Sequence, residues 1–218
     1  MQTHGEQEQK KEEFLKLNPF GQLPVLQLPN NGPTIYESGA ILLYLSETYG
    51  ELSASSKGGP GALFGGQSTS PSPLDKAKIA KWVFWANSSL SNKITQGAGR
   101  KGSPGWRVAM APLLIVLDQH LAENAVDSGF IMGGKKITAA DIAVASLLLY
   151  TPIFHQGEYT LLKDYPNVVD YIERMYKRPA YSEAYGDQRV AIIEDHVDGY
   201  RNPSKASLKK SGAWGSFF

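Results

Sequence analysis

The chain has 218 residues, enough for one large domain or two small ones with a sizeable core. Its 22 basic and 21 acidic residues leave a formal charge of +1, which gives no reason to expect nucleic acid or an acidic surface as partner. It contains no cysteine, which excludes disulfides, cysteine-ligated metals and thiolate catalysis and fits a reducing interior, cytoplasmic or organellar.

No apolar run reaches the roughly 18 residues needed to span a bilayer. The longest, from Ile142 to Tyr150, contains Ser146 and suits a buried helix. The N-terminal GEQEQKKEE mixes both charges and is neither a signal nor a transit pattern, so a soluble, non-secreted protein is expected.

Residues 14–45, FLKLNPFGQLPVLQLPNNGPTIYESGAILLYL, read as a strand, a tight turn, a second strand and a helix opening at Glu37-Ser38. Gln22-Leu23-Pro24 starts the first strand. A buried cis proline there would turn the backbone of Leu23 toward a ligand, although only about one X-Pro bond in twenty is cis. Pro29-Asn30-Asn31-Gly32 is turn chemistry, because Asn and Gly tolerate positive φ. The helix from Ser38 to Tyr49 places Ile41, Leu42 and Leu45 on one face, and Gly50 is suited to a left-handed stop. Its first turn presents backbone N–H groups and partial positive charge to a carboxylate, while the alternative reading of Ser38 is a helix cap.

From Gly50 to Pro73 the composition turns to Gly, Ser and Pro, which cannot bury enough apolar surface to offset ordering entropy. Everything beyond reads helical. Asp75 to Gln96 sets Ile79, Trp82, Val83 and Trp85 near helical spacing, and Trp106 to Leu121 does the same with Val108, Leu113, Val116 and Leu117. Pro112 marks a kink or a late helix start. In ITAADIAVAS, Thr138 followed by Asp141 forms a capping box, flanked by an Ile137–Ile142 staple. The helix that follows is apolar almost all round, as a central buried helix would be. Tyr165-Pro166-Asn167 opens another helix, which Arg178-Pro179 ends. The last segment holds an amphipathic run (Val190, Ile193, Val197), then Lys205, Lys209 and Lys210, then Trp214, Phe217 and Phe218. It reads either as an anchor for another protein or a membrane surface, or as a tail or strip on its own domain. The histidines, His4, His120, His155 and His196, show no metal-ligand spacing.

LNPFGQLPVL, YESGAILLYL, a linker, ITAADIAVAS and YPNVVDYIERMYKRPAY, in that order, resemble the glutathione S-transferase family. That family joins a thioredoxin-like domain to an all-helical one. The resemblance implies an α/β plus all-α fold: a partial thioredoxin-like domain over 1–50 retaining the β-hairpin and helix, a linker over 51–73, an all-helical domain over 74–186 and an extension over 187–218. GEQEQKKEEFL looks like the loop ahead of the family's third strand, with Gln9 and Lys10 where some classes hold the glycine carboxylate of glutathione.

Carried over residue by residue, Lys10 and Gln22 would contact the glycyl end of glutathione. Leu23, before Pro24, would exchange backbone hydrogen bonds with the cysteinyl part, and Glu37 and Ser38 would hold the γ-glutamyl ammonium and carboxylate. Trp82 and Trp85, on a helix that helps line the family's electrophile pocket alongside Phe84 and Asn87, are candidates for that pocket, although their helical spacing suits a core better. The resemblance identifies no catalytic residue and no metal ligand. The family's activating Tyr, Ser or Cys lies on an earlier strand, whereas here no Ser precedes Ser38 and no Tyr precedes Tyr36. Thr3 and His4 alone stand upstream as conceivable groups, and a βαβ unit needs roughly 30 residues or more.

The expectation is a transferase-like protein that is truncated, non-catalytic in this form and a scaffold or subunit of a larger assembly. The alternative is a transferase conjugating glutathione to small electrophiles, with its catalytic segment missing from this sequence. An unpaired edge at Leu23 to Leu28 would call for a protein partner, by strand addition, or a homodimer.

Overall fold

The computed structural model describes residues 8–49, 72–97, 104–125, 129–134, 136–154 and 160–202. The expectations for Thr3, His4, Gly50, most of the Gly/Ser/Pro-rich linker, His155, Lys205, Lys209, Lys210, Trp214, Phe217 and Phe218 fall outside those residues. The chain divides into two compact units, Met1–Ala80 and Lys81–Phe218.

The first unit opens with a 3-10 turn, Glu8–Lys10, and helix α1, Glu12–Leu17. The stretch that resembles a loop in sequence is therefore helical. Glu12 and Glu13 in the first turn and Lys16 in the last complement the helix dipole, and Lys16 Nζ lies 3.1 Å from Glu12 Oε1 one turn away. Strands β1, Val25–Gln27, and β2, Thr34–Tyr36, pair antiparallel with Val25 opposite Tyr36, Leu26 opposite Ile35 and Gln27 opposite Thr34. Between them Asn30 and Asn31 have φ of 59° and 53°, and Gly32 N donates to Pro29 O at 3.2 Å. Two successive positive-φ residues form the turn whose twist matches a hairpin, and Asn adopts that region at low cost. Among the described residues no further strand pairs with β1.

Helix α2, Ser38–Thr48, follows β2 directly. Only Gly39 and Ser46 are buried along it, and Ile41, Leu42 and Leu45 are half-buried. Two three-residue strands present too little apolar surface to cover that face fully. Lys76 pairs with Glu47, within this unit.

Helix α3, Pro73–Trp85, runs through the division between the units and starts earlier than the sequence pattern suggests. Ser72 is the reason: its Oγ accepts from Asp75 N at 3.1 Å and donates to Asp75 Oδ2 at 2.7 Å, a capping arrangement. A π-helical turn, Ala86–Leu90, separates α3 from α4, Ser91–Gly97, where the sequence pattern suggests one unbroken helix.

The second unit continues with α5, Pro104–Glu123; α6, Ala139–Leu148; α7, Thr151–Phe154; α8, Pro166–Tyr176; α9, Pro179–Tyr185; and α10, Asp187–Arg201. Pro112 lies inside α5, so the helix does not start late at that residue. Helix α6 is the most enclosed: Ala139, Ala140, Asp141, Ala143, Val144, Ala145 and Leu148 are buried. The core also takes Leu90, Leu114, Leu117, Leu121, Tyr171 and Ile172. Pro179 both ends α8 and occupies the first turn of α9, where its missing N–H has no partner to lose. Of the two readings of the last segment, the part through Arg201 is a helix packed on its own domain, with Ile192, Ile193, Val197 and Tyr200 buried and α8 alongside.

Candidate glutathione-binding corner

The candidate site is built on the turn that leads from α1 into β1. Asn18 is 2% exposed and organises this turn. Its Nδ2 donates to Gln22 O at 2.8 Å, and its Oδ1 accepts from Phe20 N at 3.1 Å. Its own carbonyl accepts from Gly21 N at 2.9 Å. Gly21 sits at φ 58°, and a Cβ added there would lie 2.7 Å from Gln9 O. Glycine is therefore required by both conformation and close approach. Lys10 Nζ donates to Phe20 O at 3.4 Å, which brings Lys10 to the segment carrying Gln22.

The Leu23–Pro24 peptide is cis. Pro24 is exposed, however, not buried as the sequence reading expected, and Leu23 is 68% exposed. The reason is the shortness of the sheet: β1 begins only at Val25, so the cis bond lies at its outer end. One step beyond the Val25–Tyr36 pair, the register sets Pro24 opposite Glu37. Phe20 packs edge-on against Tyr36, with centroids 5.8 Å apart, so the turn and the end of β2 are joined by an aromatic contact.

Glu37 has φ 70° and ψ 116°, a region unfavourable to any residue with a Cβ. It occupies the cap position of α2, and its side chain makes no cap hydrogen bond. Ser38, for which an ordinary cap is the alternative reading of the sequence, is the first helical residue. This end of α2 carries the positive end of the helix dipole, which suits it to a carboxylate.

The corner thus brings Lys10, Gln22, Leu23 and Pro24 to one turn, and sets Glu37 and Ser38 across the hairpin from them. Sequence reasoning missed Asn18 and Gly21, though both stand within NPFGQLP; their roles depend on bonds closed across the turn.

In the second unit, Trp82 is 7% exposed and packs edge-on to Trp85, with centroids 5.3 Å apart, while Lys81 Nζ lies 5.1 Å above its ring. The His120 ring is 4.7 Å from Trp82, and His120 Nε2 lies 2.6 Å from Ile131 O. Trp85 is half-buried, while Phe84 and Asn87 are exposed. A cavity of about 250 Å³ elsewhere in this unit is lined by Arg107, Met110, Leu114, Leu161 and Tyr165 among others; no residue of the expected site lines it. Among the described residues no cluster suited to a metal ion occurs, and no helix is long and apolar enough to cross a membrane.

Residues 2–48 match the family model described as Glutathione S-transferase, N-terminal domain, and residues 91–184 match that described as Glutathione S-transferase, C-terminal domain. The chain belongs to the glutathione S-transferase family. It is 30% identical over 181 residues to the glutathione S-transferase-like protein OpS6 of Beauveria bassiana, covering 78% of this chain and 75% of that protein. It is 29% identical over 190 residues to a probable elongation factor 1-gamma 2 of Arabidopsis thaliana, covering 83% of this chain but only 40% of the relative.

Solved transferase structures share the fold. Glutathione transferase URE2P6 from Phanerochaete chrysosporium, in complex with oxidized glutathione, superposes with a TM-score of 0.64 at 22% identity, covering 85% of this chain and 80% of that one. Poplar glutathione transferase F1 gives 0.61 at 22% identity, over 88% and 82%. The family's two-part plan, a small sheet with helices followed by a helical domain, is the one described above.

Proposed function

We propose that this transferase-family chain binds glutathione at the corner formed by Lys10, Gln22, Leu23, Pro24, Glu37 and Ser38, and serves as a non-catalytic scaffold or subunit of a larger assembly. The observation that carries the binding half is the hairpin register, which sets the Gln22–Pro24 turn against Glu37 and the opening of α2. A tripeptide laid across the corner meets an amide and an ammonium at its glycyl end, and backbone groups at its middle. Its γ-glutamyl end meets a carboxylate and a helix N-terminus.

The corner holds groups suited to binding. Its hydroxyl-bearing residues, Tyr36 and Ser38, stand at the end of β2 and the start of α2. The subunit half draws support from the surface of the first unit. Phe20 and Leu23 are 63% and 68% exposed, the apolar face of α2 is half-buried, and β1 has β2 as its strand partner among the described residues. A protein partner, or a second copy of this chain, seated there would cover both the edge and the apolar face. Relatives named as an elongation factor rather than as an enzyme point the same way.

Titration calorimetry with glutathione, run beside a conjugation assay with a chlorodinitrobenzene electrophile, tests both halves. Saturable binding without turnover is the expected result. Conjugation well above the uncatalysed rate would replace this reading with the second one, a conjugating transferase, which the transferase-like name of the fungal relative favours. A folded sample that takes up no glutathione would end the binding half.

A further inference from the structure

We propose that Asn18 is a positioning residue of this corner: its buried carboxamide fixes the Gln22–Leu23 backbone that meets the cysteinyl and glycyl parts of glutathione. The inference rests on the glutathione-binding reading above.

Beyond the Phe20–Tyr36 contact and the long bond from Lys10 Nζ to Phe20 O, the segment that Asn18 controls has little to hold it. Phe20 and Leu23 are 63% and 68% exposed, and Gln22 and Pro24 are exposed as well. Such residues bury too little apolar area for packing to fix their backbone. Asn18 is 2% exposed and spends both ends of its amide on this segment, accepting from Phe20 N at 3.1 Å and donating to Gln22 O at 2.8 Å. Its main chain adds two more bonds, N to Phe14 O and O from Gly21 N, both 2.9 Å. The turn is thus wound around one side chain anchored at the end of α1.

The same corner is tied to the other half of the site. Thr34 Oγ1 donates to Leu17 O at 2.9 Å, so the residue before Asn18 is pinned to the strand that leads to Glu37. That bond fixes the root of the turn on the hairpin, so Asn18 governs the Gln22–Leu23 end of the corner from a fixed base. Backbone recognition is sensitive to displacement of that end, because a strand-like ligand needs donor and acceptor at one fixed orientation. The residue type is also demanding. Aspartate keeps the acceptor for Phe20 N but turns a carboxylate oxygen toward Gln22 O, and alanine loses both bonds.

The test is calorimetric titration of glutathione into the full chain, its Asn18→Ala and Asn18→Asp variants, and double variants with Gln22→Ala and Ser38→Ala. Circular dichroism checks the fold of each. The wild type is expected to bind saturably and each Asn18 variant about tenfold more weakly, the effect of losing a buried hydrogen bond next to the ligand. The loss should be non-additive with Gln22→Ala, which acts through the same turn, and additive with Ser38→Ala, which acts at the other end.

A purely structural role would weaken both ends together and couple equally to both partners, which would overturn the proposal. Wild-type affinity in both Asn18 variants would overturn it while leaving the glutathione reading intact. Absence of binding by the folded wild type would remove that reading and this inference with it. Should Asn18→Ala fail to fold, Asn18→Asp, which loses only the bond to Gln22 O, decides.

Discussion

The phenol of Tyr171 shares its one proton between two oxygens of Asp141, the carbonyl at 3.1 Å and Oδ1 at 3.3 Å. Asp141 is fully buried and also accepts from Ile131 N at 2.9 Å, Thr138 N at 2.8 Å and Thr138 Oγ1 at 3.0 Å. One carboxylate therefore joins the start of α6, the preceding loop and α8. Burial raises its pKa, and these hydrogen bonds oppose the rise. Asp141→Ala leaves several buried donors without an acceptor and is expected to destabilise the second unit by about 3 kcal/mol or more. Tyr171→Phe removes one shared donor and is expected to cost about 1 kcal/mol. Denaturant unfolding measures both, and equal losses would contradict this ranking.

Arg201 fastens the end of α10 to α8, donating to Asp170 Oδ1 at 2.6 Å and Glu173 Oε2 at 2.5 Å, and Lys177 reaches Glu173 Oε1 at 2.5 Å. The hydrogen bond from Arg201, then that from Lys177, holds the Glu173 carboxyl below its ordinary value of 4.5. The unfolded chain then takes up this proton more readily than the folded one. The stabilisation is accordingly present above pH 4.5 and lost as the pH falls through the depressed folded value. Glu173→Gln should flatten that acid limb relative to the wild type. Superimposable stability curves below pH 4.5 would show that the network contributes nothing.

Gly21→Ala tests the turn that carries the candidate site. The position combines φ 58° with a virtual Cβ only 2.7 Å from Gln9 O, so the backbone has to move. A loss of about 2 kcal/mol in the first unit is expected. Glutathione affinity, measured by calorimetry, should fall with it, because Gln22 and Leu23 are displaced. Unchanged affinity in a folded variant would separate the turn from binding.

Legibility in the sequence followed the range of the interactions involved. The Asn30-Asn31 turn, the Thr138–Asp141 cap and the Pro166 helix start are settled by residues within four positions of one another, and the structure shows all three. The π turn at Ala86–Leu90 was not legible, since the spacing of Trp82, Val83 and Trp85 continues smoothly into it. Helix α1 was hidden because its six residues are too few to show an apolar period. In the candidate site, the binding groups stand out as short motifs. The supports do not: Asn18 bonds Gln22, and Thr34 bonds Leu17, only once the chain has turned.

Glu37 shows the same limit most sharply, for no residue in YESGAI announces a φ of 70° with ψ of 116°. A glutamate held there stores strain that glycine would release, and the helix behind it gains no side-chain cap in exchange. Glu37→Gly is therefore expected to stabilise the first unit by about 1 kcal/mol or more. If the carboxylate holds the γ-glutamyl ammonium, the same variant binds glutathione about tenfold more weakly, the size of a lost charge-assisted hydrogen bond. Opposite signs for melting temperature and affinity would identify the strain as a cost retained for binding. A variant that gains stability and keeps full affinity would assign the ammonium to another group, and one that loses stability would mean the strained backbone is held by contacts of the glutamate itself.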